Sequence, residues 1–150
     1  MNGKYWGEVK KTPKKAVQKA GDEKHISVHE NKLYYYSGVN RNSASELNKK
    51  IGELESKSLT LCHNLDLDQP PTLRIFINSV GGSVVSGISS MDTILRAKVP
   101  VHTYVDGFAA SAATFMSVVG NYRFMSRNSY MLIHQLSTQF WGTSSNFEDE

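Results

Sequence analysis

From residue 25 onward the chain alternates short apolar runs with longer stretches of helical spacing, and turn residues separate them. HISVHENKLYYYSGV, His25–Val39, is rich in β-branched and aromatic residues; Leu33–Tyr36 forms its centre and Gly38 its close, so extended backbone is predicted. Ser43–Glu46 (SASE) has the form of a capping box, with serine at the N-cap and glutamate three residues on. Behind it Leu47, Ile51, Leu54, Ser58 and Leu61 recur at steps of three and four, which predicts a helix with one largely apolar face. DLDQPP ends that helix, because proline lacks an N–H and biases the residue before it away from helix.

LRIFIN, Leu73–Asn78, predicts a short strand of the buried type, and VGGS a turn after it. VVSGISSMDTILRA predicts a second helix with Val84, Ile88, Met91 and Leu95 on one face, and Pro100 closes the unit. VHTYV predicts the next strand, Asp106-Gly107 a turn, and AASAATFMSVVG a helix stopped by Gly120. YRFM and YMLI predict two further strands around the turn SRNS. Strands that alternate with helices imply an α/β domain with a largely parallel sheet. Ser145–Glu148 is a second capping box. Isolated helices shorter than roughly 12–15 residues are marginal, so the parent fold is expected to continue past Glu150.

Composition narrows the class. At 150 residues with 39% apolar content, one globular domain is expected. No run approaches the roughly 18–20 apolar residues of a membrane span, and the lysine-rich start lacks the apolar segment of a secretory signal. A single cysteine, Cys62, excludes an internal disulfide framework and fits a reducing, cytoplasmic setting; it reads as a small buried thiol. The net charge of +3 is uneven. Residues 1–24 hold seven lysines against three acidic groups, which predicts a basic, poorly ordered arm. Residues 25–150, the domain body, hold ten basic and eleven acidic groups, so there is no basic face for nucleic acid.

Three turns fall after predicted strands, where ligands bind in open α/β sheets: VGGS, DGFAAS, and the HQ that follows YMLI. Gly81 and Gly82 can turn backbone N–H groups toward a ligand with no Cβ in the way. Ser111 lies at or near a helix N-terminus, where unpaired N–H groups favour developing negative charge. His134 supplies imidazole, the side-chain type suited to proton transfer near neutrality. These are the components of acyl transfer: nucleophile, base and oxyanion donors. Each also has a plain structural meaning. Ser111 among alanines permits tight helix packing, a glycine pair makes a turn, and a histidine after an apolar strand can be a satisfied core residue. The other histidines show no ligand-like spacing, so no metal site is expected.

The order of these pieces adds a resemblance. INSVGGSVVSGISSMDTI, then VDGFAASAATFMSVVG, then RFMSRNSYMLIHQ resembles the Clp protease proteolytic subunit family of serine peptidases, with its INSPGGS-type turn, GxAAS segment and MIHQ segment in register. The resemblance spans about Leu33–Phe147. It implies a fold of repeated ββα units with a protruding handle helix, which Ser145 would open. By the same resemblance Ser111 is the nucleophile and His134 the general base, while the N–H groups of Gly82 and Ala112 form the oxyanion hole, with Gly81 the alternative donor. Gly81, Ser83 and Val84 would hold substrate, the peptide lying as an added strand beside the segment after VGGS. Unfolded polypeptide is the implied substrate, with no cofactor, and a homo-oligomeric ring and an AAA+ unfoldase are the implied partners.

The chain also departs from that pattern. Val80 replaces the usual proline, and Ala112 a common methionine whose backbone N–H it retains. The family's third catalytic residue is an aspartate beyond the handle helix. Asp106, Asp149 and Glu150 do not match it, which leaves His134 without the carboxylate that fixes its tautomer, a loss worth about 10⁴-fold in kcat by analogy. A non-catalytic subunit of the family is therefore a second expectation. The acyl-CoA hydratase/isomerase branch of the same fold is a third. The divergent turn would suit a phage-borne variant.

Overall fold

A computed structural model describes residues 25–135. The basic arm expected over residues 1–24 and the handle helix expected from Ser145 lie outside the described residues.

Strands β1 (Ile26–His29) and β2 (Lys32–Tyr35) pair antiparallel as a hairpin turned at Glu30. Helix α1 (Arg41–Asn64) follows, then β3 (Leu73–Ser79), α2 (Val84–Leu95), β4 (Val101–Ala110), α3 (Ala112–Val118), β5 (Tyr122–Met125) and β6 (Tyr130–Leu132). The strands form one sheet in the order β1-β2-β3-β4-β5, and β6 also pairs with β4. Every pairing after the first hairpin is parallel. This is the expected α/β architecture with helical crossovers.

The sheet has two unlike faces. Leu33, Tyr35, Ile75, Ile77, Val101 and Val105 point inward and pack with Leu47, Ile51 and Leu54 of α1, Ile94 of α2 and Met116 of α3. Each fully buried side chain of this size contributes about 1.5–3 kcal/mol. Tyr35 keeps its hydroxyl satisfied inside by Ser43 Oγ at 2.9 Å and the Gly38 carbonyl at 3.1 Å. Burial pushes its ionisation above the ordinary tyrosine range. On the opposite face Tyr34, Phe76, Tyr104 and Phe124 stack across four strands with ring centroids 4.9, 4.6 and 4.6 Å apart. Residues 73–78 are thus buried on one face only, not as a doubly covered strand, and the aromatic side chains serve the other face.

Four local expectations are corrected. The N-cap of α1 is Asn40, whose Oδ1 accepts from the N–H groups of Asn42 and Ser43; Ser43 sits three residues in and closes the box by accepting from the N–H of Asn40 at 3.0 Å. Leu61 lies on the expected face of α1 but is 45% exposed, so the buried face ends at Ser58. The buried face of α2 is Gly87, Ser90 and Ile94, whereas Ile88 and Leu95 are exposed. Small residues win that face because α2 lies close on α3: a Cβ on Gly87 would stand 2.8 Å from the Ala112 carbonyl oxygen. Finally, Asp106-Gly107 is no turn. Strand β4 runs through it to Ala110, with Ile77 opposite Val105 but Ser79 opposite Ala109. Two extra residues of β4 bulge there, with Gly107 at φ 103.

Candidate active site

The bulge carries β4 from one neighbour to another. Before it, His102–Val105 pair with β5; after it, Phe108–Ala110 pair with β6. Ser111 follows as the last residue before α3, in a conformation rare for an L-residue, φ 52 and ψ −126. Such backbone costs about 1–3 kcal/mol and persists only where the surroundings enforce it. Here they do: the Ser111 N–H donates to the Leu132 carbonyl at 2.8 Å, and its own carbonyl accepts from Thr114 N–H at 2.9 Å and Thr114 Oγ1 at 2.6 Å. The hydroxyl neither caps α3 nor bonds any other described residue, and the side chain is half-buried.

The glycine turn after β3 meets this elbow. Gly81 is buried at φ 87, and a Cβ there would lie 2.4 Å from the Ala110 carbonyl oxygen and 2.7 Å from Ser111 Cβ. Only glycine permits that approach. Gly82, at φ 144, forms a parallel bridge to Val39: Val39 N–H donates to the Gly81 carbonyl at 2.8 Å and Ser83 N–H to the Val39 carbonyl at 2.7 Å. In such a bridge the flanking groups face the partner, so the N–H of Gly82 itself points away from Val39. That is the side of β4 and Ser111 in the sheet order.

The donors divide accordingly. Gly81 N–H is taken by Ser79 Oγ at 3.2 Å. The N–H groups of Gly82 and of Ala112, the first residue of α3, have no partner among the described residues. These two donors belong to the residues that follow Gly81 and Ser111, the pair that meets where a Gly81 Cβ would lie 2.7 Å from Ser111 Cβ.

His134 stands two residues beyond Leu132, the residue bonded to Ser111 N–H. The backbones that carry the two side chains thus run together. The side chains are not joined: no hydrogen bond links Ser111 and His134, and the imidazole is exposed. Its Nδ1 lies 2.7 Å from the carbonyl oxygen of Gln135. A carbonyl accepts only, so Nδ1 is the donor in this contact. No carboxylate among the described residues bonds the ring.

Ser83 and Val84 lie at the start of the second helix, where the sequence places it. Ser83 is the N-cap of α2, accepting from Ser86 N–H at 3.3 Å, and Val84 is the first helical residue. Among the described residues no group of metal-binding side chains forms, and no helix is long and apolar enough to cross a membrane.

Reasoning from the sequence alone overlooked the Gly82–Val39 bridge and the bulge. The Asp-Gly pair inside a run of β-formers was the available signal for the bulge, since a lone glycine in a strand marks such sites.

Comparison with known proteins shows the family and the fold. The family model described as Clp protease matches residues 28–150. The ATP-dependent Clp protease proteolytic subunit of Leuconostoc citreum is 48% identical over 71 residues, 45% of this chain and 36% of the relative. Proteolytic subunit 2 of Treponema denticola is 34% identical over 107 residues, 70% of this chain and 52% of the relative. Among solved structures, ClpP1 of Listeria monocytogenes superposes with a TM-score of 0.60 at 29% identity, covering 71% of this chain and 57% of that one. A point mutant of the same ClpP1 gives 0.58 at 27%, covering 68% and 55%. The chain spans about half, or less, of the length of these relatives.

Proposed function

The chain belongs to the Clp protease family, and from that premise we propose that it supplies the nucleophile, base and oxyanion pocket of a serine endopeptidase acting on unfolded polypeptide. His134 Nε2 takes the Ser111 hydroxyl proton as Oγ attacks the scissile carbonyl carbon. The carbonyl oxygen, now negative, accepts hydrogen bonds from the N–H groups of Gly82 and Ala112. The intermediate collapses as imidazolium returns the proton to the departing amine, which leaves an acyl-Ser111 ester and neutral histidine. Water, deprotonated by the same nitrogen, then attacks the ester and releases the acid.

The observation that carries this reading is the pair of unpartnered N–H groups beside an unengaged, conformationally strained serine. Gly82 is the donor in preference to Gly81, whose N–H is occupied by Ser79. Gly81 acts instead as the spacer that lets the turn reach the elbow. Ser83, beside the pocket, remains within reach of substrate. No cofactor enters the chemistry. A homo-oligomeric ring, an AAA+ unfoldase partner and a cytoplasmic setting complete the proposal, and they rest on family membership.

A second reading is a non-catalytic subunit, favoured by one observation: His134 is exposed and engages Gln135 rather than Ser111. Nothing favours the acyl-CoA hydratase/isomerase branch. Hydrolysis of a fluorogenic peptide separates the first two. The peptidase reading expects turnover that Ser111→Ala reduces by at least about 10³-fold, as for loss of a triad nucleophile. Equal turnover in Ser111→Ala would refute it, and a wild-type chain that neither turns over peptide nor accepts an acylating probe would establish the non-catalytic reading.

A further inference from the structure

Asp106 lies at the point where β4 leaves β5 and joins β6. Its carboxylate gathers two hydroxyls from different strands. Tyr36, just past β2, reaches across β3 to donate to Oδ2, and Ser126, just past β5, donates to Oδ1 at 3.4 Å. Ser126 N–H is also bonded to the Val105 carbonyl at 2.9 Å, one residue before Asp106. Ser126 opens the turn that delivers β6: its carbonyl accepts from Ser129 N–H at 3.0 Å and Ser129 Oγ at 2.6 Å. On the other side of the bulge, the side chain of Asn78 packs against Gly107, where a Cβ would meet Nδ2 at 2.9 Å. One carboxylate therefore ties the end of β2, the bulge of β4 and the turn before β6.

Both reacting side chains depend on what this knot holds. The bulge sets how far β4 advances, which places Ser79 opposite Ala109 and Ser111 over Gly81. The turn sets where β6 begins, and so where Leu132 meets Ser111 and where His134 emerges. A bulge is a discrete irregularity, and its extra residues leave the ladder unless side chains fix them. The Tyr36 bond to Asp106 is charge-assisted, a kind roughly twice as strong as a neutral bond, and the Ser126 contact at 3.4 Å is the longer and weaker of the two. Tyr36 has its ionisation pushed up to about 12 by burial first and by the Asp106 bond and charge next, so it remains a donor at neutral pH.

We infer that Asp106, held by Tyr36 and Ser126, is a positioning residue: it fixes the β4 bulge and the β5–β6 turn so that the segments bearing Ser111 and His134 run side by side. The inference rests on the peptidase reading for its consequence in catalysis but not for its structural content.

The test compares the full chain with Tyr36→Phe, Asp106→Asn and the double variant. Three quantities are measured: the rate of Ser111 labelling by a fluorophosphonate, amide hydrogen exchange, and the melting temperature. A misplacement near 1 Å costs about 10²-fold in rate, so each single variant is expected to label at least about tenfold more slowly. The double variant should be no slower than Asp106→Asn, since the two side chains act as one unit. Exchange should rise over residues 106–111 and 126–132, with α1 unchanged. A role confined to general stability would instead lower the melting temperature and raise exchange everywhere while the folded protein labelled at the wild-type rate, which would overturn the inference. If the wild-type chain fails to label, the peptidase reading falls and exchange alone decides: a local rise in those two segments sustains the positioning role, and unchanged exchange ends it.

Discussion

Gly81→Ala tests the contact on which the candidate site is built. At φ 87 an alanine occupies left-handed backbone, which costs an L-residue roughly 1–2 kcal/mol. Its Cβ would also sit 2.4 Å from the Ala110 carbonyl oxygen and 2.7 Å from Ser111 Cβ. Neither is the loose end of a flexible side chain, so relief requires the turn and the elbow to part by on the order of half an ångström in a close-packed interior. Strain and lost packing together cost about 2–4 kcal/mol. That is a fall of roughly 6–13 °C in melting temperature for a chain of 150 residues. The same displacement carries the Gly82 N–H away from Ser111, so labelling of the serine should drop by about 10–100-fold in the protein that remains folded. Gly52→Ala is the matched control. It lies exposed within α1 with nothing within 4 Å of an added Cβ, and it should gain about 0.5–1 kcal/mol. Calorimetry and probe labelling below the melting range measure both effects. A Gly81→Ala protein that melts and labels like the wild type would refute the proposed meeting of turn and elbow.

Other outcomes follow from the same geometry. Ser111→Gly should melt higher than wild type by about 1–2 kcal/mol, because glycine tolerates φ 52 and ψ −126, while Ser111→Ala keeps the strain and gains nothing; both should be inactive, and equal melting of the two would contradict the strain. Asn40→Ala removes two bonds to the first turn of α1 and should cost about 1 kcal/mol by denaturant titration, against a negligible effect for Glu46→Ala. Tyr36 should be among the last tyrosines to ionise, near pH 12, as read from the phenolate absorbance of wild type minus Tyr36→Phe. Its folded value lies above the ordinary 10.0, so the stability it contributes is complete below pH 10 and is lost as pH climbs through about 12. A difference spectrum that titrates near pH 10 would contradict the Asp106 bond.

What was legible in the residues was periodic or local. Leu47, Ile51 and Leu54 announced the inner face of α1 because large apolar side chains at helical spacing have few other uses. The alternation of strands and helices announced the parallel sheet. The inner face of α2 was misread for a physical reason. Close packing on α3 selects Gly87 and Ser90, so the bulkier Ile88 and Leu95 turn outward, and a rule that follows hydrophobicity chooses the wrong stripe. The N-cap of α1 was displaced because Asn40 and Ser43 are both capping residues three positions apart, and each plays one half of the same box. Three candidate site segments were visible as glycine-rich or histidine-bearing turns after strands. Their mutual contacts were not, because Gly81 against Ser111 and Ser111 against Leu132 join residues far apart in sequence through the order of the sheet. The Asp106-Gly107 bulge hid for the opposite reason: locally it carries turn residues, and only the strands on either side keep it extended.

The most direct measurement of the central claim is the site of covalent capture. The intact chain is treated with a fluorophosphonate at neutral pH, digested, and sequenced by mass spectrometry. The account predicts one adduct, on Ser111, formed far more slowly in His134→Ala and weakened by proline at position 112, which removes an oxyanion N–H. An adduct on another serine, or capture at Ser111 with equal speed when His134 is alanine, would contradict it.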